Sequence, residues 1–126
     1  MKFVLDKNEN YTIFKLEEKN LNSLVAPDLK SEFIFLRNEG VQNLIFDMTE
    51  VNYVDSSGLS AILTANRLWK DYGVFILSGP LADPVKKLIE ISRLETILTI
   101  IPTLEESIEY AIMDQIEKDL INEEEE

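Results

Sequence analysis

The stretch Leu44-Ile45-Phe46-Asp47-Met48-Thr49-Glu50-Val51-Asn52-Tyr53-Val54-Asp55-Ser56-Ser57-Gly58-Leu59-Ser60 decides how the whole chain is read. Leu44 to Phe46 is a dense apolar run without polar alternation, the pattern of a central strand covered on both faces. Val51 to Val54 follows after a short polar break, and Asp55, Ser56, Ser57 and Gly58 interrupt the run. Behind them Leu59, Ile62, Leu63, Asn66 and Trp69 share a helical face that ends near Asp71, with Gly73 as a natural stop. A buried strand that gives way to a helix through a short polar loop is the repeating step of an α/β sheet. Loops at the carboxyl ends of parallel strands are the usual functional edge of such sheets.

Upstream, Phe3 to Leu5 and Tyr11 to Leu16 read as two strands joined by turn residues at Asn8 to Asn10, a hairpin. Asn20 to Leu24 reads as a loop. Ala26, Leu29, Phe33 and Leu36 then recur at helical spacing, with Pro27 in the first turn and Asn38 and Gly40 at the end. Downstream, Val74 to Leu77 is a buried-type strand, followed by a turn at Ser78, Gly79 and Pro80. Asp83 before Pro84 reads as a helix cap, and Val85, Leu88 and Ile89 supply a short apolar face. Ile97 to Ile101 reads as the last strand, ended by Pro102. Thr103 and Glu106 have capping-box spacing ahead of Leu104, Ile108, Ala111, Ile112, Ile116 and Leu120.

The order β-β-α-β-α-β-α-β-α predicts an α/β fold: a mixed, mostly parallel sheet with an antiparallel N-terminal edge hairpin, packed against helices. The expected single domain spans residues 2–118. Residues 119–126 are expected to be an acidic disordered tail, because the Glu123 to Glu126 run repels itself and has little to bury.

Composition narrows the function. The chain has 126 residues, enough for one core, and its 12 Lys plus Arg against 24 Asp plus Glu give a net charge of −12. A nucleic-acid partner needs the opposite sign, and anionic membranes are disfavoured for the same reason. With no Cys and no His, thiolate chemistry, cysteine zinc sites and the commonest general base near neutral pH are absent. No apolar segment is long enough for direct membrane insertion or a secretory signal, so the expectation is a cytoplasmic protein.

Several readings of the polar loop stand side by side. Two adjacent hydroxyls at a helix start lie beside unpaired N–H groups that favour an anion, which makes a phosphorylation site. Alternatively, Ser56 or Ser57 is simply the helix cap, with Asp55 fixing the turn and Gly58 allowing close packing. A catalytic serine lacks a histidine base, and Lys86 and Lys87 have no spacing that requires a Ser-Lys pair. Asp47, Asp55 and Asp83 near strand ends could gather around Mg²⁺ in a receiver-like site, but the early segment offers Asp6 and Glu9 in hairpin surroundings where such a site needs its acidic pair. No Gly-rich phosphate loop is present, so no cofactor is expected, and with that acidic pair misplaced and no His or Cys, no resident metal is expected either. Trp69 reads as packing, and Lys86, Lys87, Arg93 and Lys118 read as solvated-face residues, with Arg93 bordering the Ser56 loop if the sheet is ordered as expected.

The motif Asp55-Ser56-Ser57-Gly58-Leu59, with the 44–54 stretch before it, Ile62-Leu63 after it and Pro84-Val85-Lys86-Lys87-Leu88 further on, strongly resembles the STAS family. The family's name joins sulfate transporters with anti-sigma factor antagonists. The resemblance spans about residues 3–117 and suggests a stand-alone bacterial anti-sigma factor antagonist. It implies that Ser56 is the phosphorylation site, that Ser57 is its neighbour and that Asp55 shapes the loop. The implied partners are an anti-sigma factor with serine kinase activity, which binds the unphosphorylated form, and a serine phosphatase that resets the switch. The partner-binding residues carried over are Asn20, Asn22, Asp55, Ser56, Ser57, Gly58 and Leu59. The antagonists' early loop often carries Gly-x-Leu-Asp. Here Asn20-Leu21-Asn22 aligns with it, so an amide stands where the family places a carboxylate. Other members are non-catalytic scaffold subunits of lipid-transport or stress-sensing complexes, and that is the alternative role.

Overall fold

The computed structural model describes residues 1–79 and 82–125, the last of these by its backbone alone. The apolar run predicted to be central is central. Strand β4 (Asn43–Asp47) is buried at every position. It lies parallel to β2 (Thr12–Leu16) on one side and to β6 (Val74–Ser78) on the other. The antiparallel edge strand β1 (Phe3–Lys7) and the parallel β7 (Thr99–Ile101) complete a five-stranded sheet of order β1-β2-β4-β6-β7.

Strand periodicity sends alternate side chains of this sheet to two helical layers. Phe14, Leu16, Leu44, Phe46, Phe75 and Leu77 meet α1 (Ala26–Asn38), α2 (Ser56–Trp69) and α3 (Asp83–Ile91) in the main core. Phe33 of α1 is its aromatic hub, edge-on to Phe46 at 5.2 Å, to Phe75 at 5.9 Å and to Trp69 at 6.3 Å between ring centroids. Trp69 is a packing residue, as read. Its ring is buried and its Nε1–H donates to the Val41 carbonyl at 2.9 Å. On the opposite face, Ile13, Ile45 and Ile76 pack against Ala111 of α4 (Leu104–Glu125). The Ser107 hydroxyl donates to Ser78 Oγ at 2.6 Å and fastens that helix to the sheet.

Five local expectations are corrected. Residues 20–24 are not all loop: Asn20–Leu21 form β3, which pairs in parallel with β5 (Tyr53–Val54) as a separate two-stranded ribbon. Helix α3 has Ala82 at its cap position with no side-chain bond, so Asp83 lies in the first turn, where a carboxylate still favours the helix dipole. The last strand begins at Thr99, because Leu94–Thr96 form a 3-10 turn. The cap of α2 is neither serine, as described below. Finally, α4 runs to Glu125, so residues 119–125 are helical where a disordered tail is expected from the charge run. Glu, Leu and Ile tolerate helix well, and the Asp114–Lys118 ion pair at 2.8 Å and the Gln115 to Asp119 bond at 3.0 Å brace the turns that lead there. The capping box at the other end forms as read, with Glu106 N–H donating to Thr103 Oγ1 at 3.1 Å. Pro80, part of the predicted turn, lies outside the described residues.

Candidate partner-binding surface

The β3–β5 ribbon explains how two distant segments come together. Asn20 is in register with Tyr53, and Leu21 with Val54. The Asn52 N–H donates to the Lys19 carbonyl at 2.7 Å, and the Asp55 N–H donates to the Leu21 carbonyl at 3.2 Å. This ladder places Asn20 and Asn22 beside the start of α2. Asn22 folds its own segment: its Oδ1 accepts the Leu24 N–H at 3.0 Å, and its carbonyl accepts from Val25 and Ala26 at 3.1 and 2.8 Å. An aspartate could make the same side-chain bond, so the amide preserves the turn and removes only the charge.

Asp55 is the N-cap of α2, and the expectation that Ser56 or Ser57 caps it is corrected. Its extended backbone (φ −96°, ψ −173°) suits the role, and its carboxylate accepts the Gly58 N–H at 3.0 Å. Asp55 N–H goes to Leu21, Gly58 N–H goes to the cap, and Leu59 N–H closes the first helical bond onto the Asp55 carbonyl at 2.9 Å. The Ser56 and Ser57 N–H groups remain, at the positive end of the helix dipole. Ser56 is exposed, and its hydroxyl makes no hydrogen bond among the described residues. Ser57, Leu59 and Ser60 are half-buried. Replacing Asp55 with Ala is expected to cost about 1 kcal/mol of stability, and Asp55→Asn much less, because the amide oxygen still caps. Thermal melts of the two variants check this.

Gly58 is buried and does not face outward. A Cβ there would stand 2.3 Å from the Leu21 carbonyl oxygen and 2.7 Å from Leu21 Cγ. Its part is to let the helix start press against the ribbon.

The sequence reading places the 20–24 loop on the partner surface without singling out Leu24, and it misses Tyr53 and Lys30. Leu24 and Tyr53 stand 84% and 61% exposed on the two segments that the ribbon joins, so the polar loop has apolar neighbours free to enter an interface. Lys30 of α1 reaches across to α2, where its Nζ donates to Ser60 Oγ at 3.1 Å. In sequence, Leu24 and Tyr53 look like ordinary apolar residues of a loop and a strand, and Lys30 looks like a solvated lysine. Only the packing of β3 on β5 and of α1 on α2 singles them out. Ser23, Ala26, Pro27, Lys30, Ser56, Ser57 and Ser60 line a shallow depression of about 430 Å³. Arg93 is exposed, with a left-handed backbone (φ 57°), and is not part of that lining.

The receiver-like arrangement does not assemble. Asp47 is buried, and its Oδ1 accepts from the Thr49 N–H at 2.9 Å and from the Thr49 hydroxyl. Asp55 is spent on its cap. No group of three carboxylates gathers among the described residues, and Lys86 and Lys87 are exposed on α3. No helix among those residues is long and apolar enough to cross a membrane.

Known proteins share this architecture. An anti-sigma factor antagonist from Mycobacterium paratuberculosis superposes with a TM-score of 0.75 at 18% identity, over 87% of this chain and 92% of that one. The Bacillus cell fate determinant SpoIIAA, solved in its phosphorylated form, gives 0.66 at 21% identity over 86% and 98%. A sulfate transporter family protein from Wolinella succinogenes gives 0.69 at 18% over 82% and 86%. At these identities the likeness is one of fold. No curated protein matches the sequence. The sequence model of the STAS domain, however, matches residues 2–107, which include every strand, the β3–β5 ribbon and the capped loop at Asp55-Ser56-Ser57-Gly58. The chain belongs to the STAS domain family.

Proposed function

We propose that this protein is an anti-sigma factor antagonist: a non-catalytic, cytoplasmic switch that sequesters an anti-sigma factor with serine kinase activity while Ser56 is unmodified. The kinase phosphorylates Ser56 and is released, and a serine phosphatase restores the binding form. One observation carries the reading. Ser56 offers an exposed hydroxyl without an internal partner, at the first position of a helix capped by its own neighbour, in the middle of a surface that also presents Asn20, Asn22, Leu24 and Tyr53. A modification there changes that surface and leaves the core untouched. Anti-sigma factor antagonists of the same fold support the assignment.

Phosphorylation adds a charge of roughly −1.5 to −2 and three strong acceptors. The test is peptide mass spectrometry of the protein from its native cells, growing and stressed. The expected result is phosphate on Ser56 with an occupancy that differs between the two conditions. Full coverage of Ser56 without phosphate in either condition sinks the switch.

One feature favours a second reading, a constitutive scaffold subunit. Met113, Ile116 and Leu120 of α4 are 57%, 45% and 55% exposed and recur at helical spacing on the side turned away from the sheet. A permanent partner that covers this stripe would need no modification. An unphosphorylated protein that co-purifies in a stoichiometric complex is the outcome this reading expects.

A further inference from the structure

We propose that Lys30 is the built-in counter-ion of the switch: when Ser56 carries a phosphate, the Lys30 ammonium turns from Ser60 and pairs with the phosphate oxygens. The inference rests on the reading of Ser56 as the modified residue and adds a receiver for the phosphate within the domain itself.

Three observations carry it. The first is position. Lys30 Nζ is 3.1 Å from Ser60 Oγ, and Ser56 lies one helical turn before Ser60 on the same face of α2. Side chains four apart on a helix start about 5–6 Å from each other, and a lysine head on its flexible stem covers that difference with a change of rotamer. Lys30 and Ser56 line the same depression, so the path between them is open.

The second is charge. Among the described residues, Lys30 is the only ionisable side chain that lines the depression. The ion pairs among the described residues involve Lys7, Lys15 and Lys118, so Lys30 is left to a neutral hydroxyl. Lys30 is half-buried and makes no ion pair among the described residues. A hydroxyl is a weak partner, and a phosphate would displace it because charge-assisted hydrogen bonds are roughly twice as strong as neutral ones.

The third is the balance around the loop. The Asp55 carboxylate precedes Ser56 and repels a phosphate, and Asp28 adds an exposed negative charge on α1. The Ser56 and Ser57 N–H groups favour the phosphate, but they are partial charges. Lys30 supplies the full positive charge that lets a dianion settle against the domain. The phosphorylated loop is then held toward α1, and the Lys30–Ser60 contact between α1 and α2 is given up.

The test uses the full-length chain with phosphoserine installed at position 56 during translation, so it needs no kinase. A ³¹P NMR titration reads the second ionisation of the phosphate, which lies near 6 in the absence of perturbation. An adjacent cation favours the dianion and lowers that midpoint. The wild type is expected to titrate about one unit below Lys30→Gln, since an opposite charge at 4–6 Å shifts a group by about 1–3 units in a protected site. Lys30→Arg should stay close to the wild type. Lys70→Gln, at the far end of α2, should change nothing. Asp55 and Asp28 act equally in all four proteins and cancel. Coincident titrations of wild type and Lys30→Gln overturn the proposal. So does a Lys30→Arg midpoint that coincides with that of Lys30→Gln, because only the first of these variants offers the phosphate a charge. Because the phosphate is placed synthetically, failure here leaves the cellular modification of Ser56 to be judged by mass spectrometry alone.

Discussion

Gly58→Ala is expected to destabilise the domain by about 2 kcal/mol and lower its melting temperature by roughly 8 °C, against the direction that helix propensity predicts. Ala is favoured over Gly inside a helix by about 1 kcal/mol, so an open site would become more stable. This site is closed. The added Cβ would lie 2.3 Å from the Leu21 carbonyl oxygen, a backbone atom that cannot rotate away. Relief requires β3 to lift from β5, and that breaks the bond from Asp55 N–H to the same carbonyl. Overpacking of this kind costs about 1–3 kcal/mol and occasionally more, which exceeds the propensity gain. Truncating Leu21 to Ala should fail to rescue the variant, because the nearest clash is with its main chain. Thermal melts of the single and double variants check this. A Gly58→Ala protein as stable as the wild type would mean that the ribbon yields freely and that the glycine is not there for packing.

This close approach marks how far the sequence could be read. The central strand and the helix behind the loop were legible because Leu44 to Phe46 is an unbroken apolar run and Leu59, Ile62, Leu63, Asn66 and Trp69 recur at helical spacing. The ribbon was not, because a two-residue strand has no period and its partner lies about thirty residues away. The cap was misassigned for a related reason. Asp55, Ser56 and Ser57 are all good capping residues, and the choice fell on Asp55 only because the ribbon bonds its N–H and fixes its extended backbone. The site was legible as a motif and illegible as a surface. Ser56 could be singled out from its neighbours, but Leu24, Tyr53 and Lys30 join it only through the pairing of β3 with β5 and the packing of α1 on α2. The helical end of α4 shows the opposite failure. The charge run argued for disorder, whereas local propensity and the ion pair one turn earlier continue the helix.

On the proposed reading, phosphate on Ser56 is expected to weaken binding to the partner kinase by at least about 100-fold, and three variants separate the causes. A hundredfold loss is about 2.8 kcal/mol, within the several kcal/mol that a misplaced charge costs at a close-packed interface. Ser56→Ala should bind almost as the unmodified protein does, because its hydroxyl supports nothing inside the fold. It should also accept no phosphate from the kinase. Ser56→Asp carries one charge on a shorter arm and should fall between, near tenfold. Ser56→Gln adds similar bulk without charge. If repulsion dominates, Ser56→Gln binds well, and the penalty on Ser56→Asp shrinks as salt rises from about 0.05 to 0.5 M, since screening shortens the reach of exposed charges. If bulk dominates, both variants lose affinity alike and salt changes neither. Calorimetric titrations of the unmodified protein, the phosphorylated protein and the three variants against the kinase at the two salt concentrations decide it. Unchanged affinity of the phosphorylated protein would leave Ser56 as a mark without a mechanism, because the exposed loop offers no route from this residue to the core. The surface around Asn22, Leu24 and Tyr53 would then have to bind in a way that never senses the helix start.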